Sequence, residues 1–161
     1  MAVSSDISAT YATYLDVVQA TAEERIDRVR RGLLPTLVMQ LAHDLRIPDH
    51  NLALYLGLSR ASLRRKLAED ERLASHESEA LLALATLAGR VIVACRQPAV
   101  SEAVVVDPLR WLGRWMRTPM IGFDGRAPIQ YMDVVEGRIL VAEWLAAALS
   151  PEGSPRSVAT P

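Results

Sequence analysis

Between Asp49 and Lys66 the chain reads DHNLALYLGLSRASLRRK, two short helical patterns joined across a glycine. Leu52, Ala53 and Leu56 recur at helical spacing, which gives the first helix one apolar face. Ala53 is small enough to let a second helix cross closely. Gly57 supplies, at no steric cost, the positive φ that a helix end demands. Leu58 fills the space under the turn, and Ser59 is a good N-cap for the second helix. On that helix Leu63 and Leu67 point inward. Ala61, Ser62 and Arg65 fall roughly opposite them, Arg64 and Lys66 lie on the flanks, and Arg60 sits in the first turn within reach of a phosphate. This is the layout of a helix-turn-helix whose second helix reads DNA, with small or polar residues toward base edges and cations beside them for phosphates.

The plainer alternative is an antiparallel helix pair with a solvated basic face. The small alanine, the glycine four residues later, Leu-Ser and the basic second helix occur together here, and that favours DNA. Residues 58–67, LSRASLRRKL, also resemble the Fis-type recognition element. The resemblance implies Ser59, Arg60, Ser62, Arg64 and Arg65 as contacts, with Lys66 beside them.

A length of 161 residues suffices for a real core. Half of the residues are hydrophobic and 5% are aromatic, so that core is aliphatic. Leucine and alanine dominate and strand-like alternation is scarce, which predicts an all-α fold, a helical bundle containing the helix-turn-helix. A formal net charge of −1 argues against a protein that coats nucleic acid by bulk attraction. A basic edge on a near-neutral body suits a specific DNA binder, and reading of a symmetric operator implies a homodimer. Lys66 is the only lysine. Cys95 alone excludes an intrachain disulfide and a multi-cysteine zinc site, which fits a reducing cytoplasm. No signal-peptide pattern opens the chain, and its apolar stretches fall short of the roughly 20 residues that span a bilayer. A soluble, cytoplasmic protein is expected.

In chain order, residues 1–20 read as a partly flexible arm with a short helix carrying Tyr11, Tyr14, Leu15 and Val18. Thr21-Ala22-Glu23-Glu24 is a capping box. The helix it opens bears Arg25, Arg28, Arg30 and Arg31 as a solvated face and ends at Gly32. Residues 33–45 form a helix with Leu34, Leu37, Val38, Leu41 and Leu45 on a broad apolar stripe. Ile47-Pro48 leads into the helix-turn-helix. From Ser75 a long helix carries Leu81, Leu82, Leu84, Ala85, Leu87, Ala88, Val91, Ile92 and Cys95 around much of its circumference, so it is buried on more than one side. One side is expected to serve the core and another a subunit or partner. Residues 21–98 thus form one unit.

A second unit occupies residues 99–150. Residues 101–107 (SEAVVVD) suit a strand or a helix. Pro108 opens a helix with Leu109, Trp111, Leu112, Trp115 and Met116, and a turn-rich loop, TPMIGFDGRA, comes after it. PIQYMDVV starts a short helix at Pro128, and residues 138–149 form a last one after Gly137. Residues 151–161, rich in proline and small polar residues, form a flexible tail. Apolar loop residues such as Met120, Ile121 and Phe123 either fold back onto Trp111 and Trp115 or meet another protein.

The whole layout from about residue 32 to 149 resembles the Xre/MbcA/ParS antitoxins, partners of RES-domain toxins. The resemblance is carried by ALYLGLSRASLRRKL, the SHESEALL helix and WMRTPMIGFDGRAPIQYMDVVEGRILVAEWL. In the last stretch the anchors are Trp115-Met116, Pro119, Phe123-Asp124-Gly125, Pro128, Tyr131-Met132, Gly137 and Val141. Trp115-Met116 stands where the family usually has Trp-Leu, and Gly122 to Gly125 is a variant of a Leu-Gly-Gly turn. The resemblance implies that the second unit is a small helical toxin-binding module. It further implies that the chain neutralises a RES toxin that destroys NAD or transfers ADP-ribose from it, by covering that toxin's active site. Repression of its own operon through the helix-turn-helix is implied as well. Trp115, Pro119, Phe123 and Tyr131 become expected toxin contacts. Arg126, Arg138 and Arg156 are candidates for an anionic or NAD-shaped pocket, since arginine suits phosphate recognition.

Catalysis by the chain itself is not expected, and neither is a cofactor or metal. His43 and Asp44 are adjacent on a helix and do not face each other. His50 and His76 stand near helix starts, and Cys95 reads as a small packing residue. No phosphate-cradling glycine loop or metal-spaced pair is present. The alternative function is a stand-alone helix-turn-helix regulator whose C-terminal module senses a ligand or protein.

Overall fold

A computed structural model describes residues 3–97 and 106–150. Among them helices and short 3-10 turns make up the regular structure, and the only pairing of extended backbone is an isolated antiparallel bridge between Met120 and Arg126. Six helices precede residue 98: α1 (Val3–Gln19), α2 (Ala22–Arg31), α3 (Thr36–Leu45), α4 (Asp49–Tyr55), α5 (Arg60–Ala68) and α6 (Ser75–Ala94). After residue 105 come α7 (Pro108–Arg117), 3-10 turns at Ile121–Phe123 and Pro128–Tyr131, and α8 (Val135–Ala148).

The first helix runs 17 residues, longer than the short element expected inside a loose arm. Its stability comes from α6, against which it lies. Tyr14 and Val17 are buried, and Gly89 of α6 leaves room for Val18 and the Tyr14 backbone. The Tyr14 hydroxyl donates to the Asp44 carboxylate at 2.5 Å, joining α1 to α3. Burial and that hydrogen bond to Asp44 push the phenol well above its ordinary pKa. The capping box forms as read: the Glu24 amide donates to Thr21 Oγ1 at 3.2 Å and the Thr21 amide to the Glu24 carboxylate at 2.7 Å. α2 buries none of its residues, and of its basic run Arg28 pairs with Asp16 of α1 at 2.8 Å.

Gly32 ends α2 at φ +79°, and there the chain is pinned to the start of α6. The Leu73 amide donates to the Leu33 carbonyl at 2.9 Å, the Leu33 amide to Ser78 Oγ at 2.9 Å, and Arg72 to the Gly32 carbonyl at 2.8 Å. α3 therefore begins at Thr36, later than the sequence suggested. Leu34, assigned to the apolar stripe, sits in the connection and is 47% exposed, whereas Val38, Leu41 and Leu45 are buried.

α6 is the axle of the molecule, with α1, α2, α3, α7 and α8 all packed on it. Leu81, Leu84, Ala85, Ala88 and Val91 are fully enclosed, and Leu82, Leu87 and Ile92 nearly so. The wide apolar circumference that suggested a subunit face is thus filled by the chain's own helices, which withdraws that ground for a homodimer. Val93 alone among its large apolar residues is substantially exposed.

The C-terminal elements share this core rather than forming one of their own. Asp107 caps α7 by accepting from the Arg110 amide at 3.0 Å, with Pro108 in the first turn. Gly113 brings α7 so close to α3 that a Cβ there would run into the Leu45 carbonyl. Leu112, Met116, Ile129, Met132 and Val141 complete the continuous core. Of the segment that suited strand or helix, residues 101–105 lie outside the described residues. Gly137, expected to precede the last helix, lies inside α8, where it is buried against the Tyr131 backbone. Among the described residues no helix is long and apolar enough to cross a membrane.

Candidate functional site

The helix-turn-helix forms as the sequence implies. α4 stops at Leu56, and Gly57 turns the chain at φ +76° with open space where a Cβ would stand. Leu58 is buried beneath the turn, its amide donating to the Ala53 carbonyl at 2.8 Å. Ser59 caps α5 by accepting from the Ser62 amide at 3.0 Å. On α5 Leu63 is buried and Leu67 half-buried, while Ala61, Arg64, Arg65 and Ala68 occupy one exposed face at helical spacing. Ser59 and Arg60 are exposed at its start, and Ser62 is partly covered.

The cations of α5 differ in what holds them. Arg60 and Arg64 make no side-chain hydrogen bond or ion pair among the described residues, so their guanidinium groups are open to a phosphate. Arg65 is engaged: one of its nitrogens donates to Glu69 at 3.0 Å and to Glu71 at 2.7 Å. The bond from Arg65 holds the Glu71 carboxyl below its ordinary pKa.

Lys66, expected as a DNA contact, is turned inward and does not belong to the exposed face. Its ammonium donates to Glu77 at 2.9 Å and to the Arg72 carbonyl at 3.3 Å, with both partners of the ion pair buried. Three residues after Leu63 and one before Leu67, it lies on the inner side of the helix. The signal that points there is the acid in the first turn of the next helix. Burial pushes the Glu77 carboxyl up, but the Ala74 amide at 2.7 Å and the Lys66 ammonium outweigh it and hold the group below its ordinary value.

The C-terminal candidates are divided between the interior and the surface. Phe123, expected to meet a partner, is 1% exposed. It folds onto Tyr131 and Trp144, with ring centres 5.2 and 5.5 Å away, rather than onto Trp111 and Trp115. Left-handed Asp124 (φ 53°) and Gly125 (φ +73°) reverse the loop that carries it. Tyr131 is half-buried and its hydroxyl donates to the Phe123 carbonyl at 2.8 Å, fastening the turn. Both aromatics build the module from inside. Trp115 is half-buried and stacks on Trp111 at 6.3 Å. Pro119 and Arg126 are exposed, and half-buried Arg138 donates to the Met132 carbonyl at 3.2 Å. Arg156 lies outside the described residues.

Of the loop residues left open between core and partner, Ile121 faces outward, and the sequence reading missed further exposed apolar side chains on this module. Ile121 is 73% exposed, Val134 and Val135 each more than half, Ile139 49% and Trp144 40%. Gly122 brings the loop onto the Trp144 ring so tightly that a Cβ would strike it, which ties Ile121 to the α8 surface. Val135 and Ile139, four apart, share one face of α8. Nine residues of helix turn through about 180°, so Trp144, with Ile121 beside it, lies on the side of α8 opposite Val135 and Ile139. Paired large apolar groups left exposed on a small module suit contact with a protein. Helical periodicity in α8 predicts a single inward stripe, and the second one is legible only once the packed side is known.

These features define a helix-turn-helix protein joined to a helical protein-binding module. Comparison with known proteins gives the same division. Residues 24–85 match the antitoxin Xre-like helix-turn-helix domain, and residues 102–149 match the antitoxin Xre/MbcA/ParS C-terminal toxin-binding domain. The chain belongs to the Xre/MbcA/ParS antitoxins. It is similar to a Prs ADP-ribosylating antitoxin of Sphingobium sp. (strain YBL2), with 26% identity over 133 residues that span 83% of this chain and 82% of that protein.

Proposed function

We propose that this chain neutralises a RES-domain toxin by covering its active site, and that it represses its own operon through α4 and α5. The observation that carries the first part is the exposure of large apolar side chains on both sides of α8, Ile121 with Trp144 and Val135 with Ile139, all within the residues matched to a toxin-binding domain. An isolated chain gains nothing from such a surface, whereas a partner that covers it recovers the hydrophobic free energy. The toxin's reaction is transfer of ADP-ribose from NAD or destruction of NAD. The name of the similar Sphingobium antitoxin supports the first of these. Trp115, Pro119 and Arg126 are the outward candidates that remain from the sequence, and Arg156 of the tail is proposed to reach the toxin's anionic pocket.

The second part rests on the open guanidinium groups of Arg60 and Arg64 beside Ser59 and Ala61. On this reading the chain is a cytoplasmic, non-catalytic inhibitor, and symmetric operator reading would take two copies of it.

The deciding experiment is co-purification of this chain with the product of the adjacent gene, followed by NAD-consumption and ADP-ribosylation assays on that product with and without the chain. A stable complex with lost toxin activity is expected. Failure to form a complex, with sequence-specific DNA binding retained, would instead identify a stand-alone regulator.

A further inference from the structure

A cleft of about 130 Å³ opens between α6 and α8. Its lining combines Leu87, Met132 and Ala142 with Thr86, Arg90 and Arg138. The hydroxyl proton of Thr86 is committed to the Leu82 carbonyl at 2.8 Å. The donors that face a guest are therefore the two guanidinium groups. Arg138 spends one nitrogen on the Met132 carbonyl, which fixes its position and leaves other N–H groups unused. Arg90 is exposed and makes no hydrogen bond or ion pair among the described residues. No carboxylate of those residues neutralises either cation.

Two such cations over an apolar lining form a receptor for an oxyanion, because the guanidinium fork matches a planar carboxylate. A cleft of this volume admits a carboxylate with its methylenes. The surroundings select the source. Val135 and Ile139 stand three residues before and one after Arg138 and are exposed, as is Val93, three residues after Arg90. The cleft thus lies beside the exposed Val135 and Ile139 side of α8 and extends it onto α6.

We propose that this cleft receives an aspartate or glutamate side chain of the toxin, held between Arg90 and Arg138. The proposal deepens the antitoxin reading and rests on it. Arg90 lies between the two spans matched to known domains, so the toxin-binding surface reaches beyond the C-terminal module onto the helix that also supports the DNA-reading unit.

The test uses the full chain and the adjacent gene's product. Arg90→Glu is expected to weaken the complex by roughly 30-fold, about 2 kcal/mol, as reversal at a desolvated charge contact should. Arg90→Lys, which keeps the charge and loses the fork, is expected to weaken the complex less than Arg90→Glu, and Arg138→Gln to weaken it as well. Thermal unfolding and DNA binding of Arg90→Glu should match the wild type, since Arg90 is exposed and joins no internal contact. Wild-type binding with Arg90→Glu binding equally well would overturn the cleft assignment and leave the antitoxin reading standing. A wild-type chain that captures no toxin would overturn both. Titration of the isolated chain with inorganic phosphate and with ADP separates the remaining source: tight saturation that is lost in Arg90→Glu would assign the cleft to a free anion and overturn the protein carboxylate.

Discussion

The buried pair of Lys66 and Glu77 shows how a single contact can set the direction of a whole helix. Each residue alone would be an expensive charge in the interior. Together, with the Ala74 amide and the Arg72 carbonyl as further partners, they tie the middle of α5 to the first turn of α6. Lys66→Ala leaves Glu77 without its counter-ion and is expected to cost about 3 kcal/mol in denaturant unfolding. The joint replacement Lys66→Met with Glu77→Leu should recover most of that, because a packed apolar pair avoids the desolvation penalty. The pH dependence has a definite sign. Glu77 has a folded pKa below the ordinary 4.5. The stability it contributes is full above that ordinary value and is lost as pH falls through the depressed folded one. The melting-temperature gap between wild type and Glu77→Gln should therefore be constant near neutrality and close in acid. A gap independent of pH would mean that the pair contributes nothing through its charge.

At the scale of the element, α5 carries its own electrostatic restraint. Glu69 and Glu71 hold Arg65 and would compete for it with the proposed DNA, whereas Arg60 and Arg64 meet no such competitor among the described residues. Replacing both acids with glutamine should tighten operator binding and steepen its salt dependence by about one phosphate contact. Arg64→Ala should do the reverse. Fluorescence anisotropy across a salt series measures both, and unchanged slopes would place Arg65 away from the DNA backbone. The elements differ in how much of this was legible in advance. The turn at Gly57, the Ser59 cap and the Thr21 capping box are local, so their residues announce them. The inward Lys66 and the internal Phe123 are not local, because each is decided by a partner far along the chain or by a turn whose closure depends on Trp144. The start of α3 moved for the same reason, since Leu33 is bonded to Ser78. The exposed apolar residues of the C-terminal module were hidden most deeply. Pattern alone distinguishes apolar from polar, not the apolar residues that are covered from those that are left out.

For the whole molecule, α6 packs two matched domains around one shared core. The buried residues of α7 and α8 close over α3 and α6, and the near contact of Gly113 with Leu45 leaves no solvent layer between the units. We propose that the boundary near residue 98 divides functions rather than folding units. A chain ending at Gln97 would uncover Leu45 and much of α6, at about 1.5–3 kcal/mol for each large side chain newly wetted. It is expected to unfold broadly and to bind a hydrophobic dye, and a sharp transition like that of the full chain would show an autonomous N-terminal domain. The buried ammonium of Lys66 also has a practical consequence. It is the only side-chain amine in the sequence, and it is bonded inside the fold. An acylating reagent read out by mass spectrometry would modify Lys66 only in molecules whose α5 has come away from α6. The rate of that modification is a clock for the opening of α5, built into the native chain, and a bound partner that stiffens α6 would slow it.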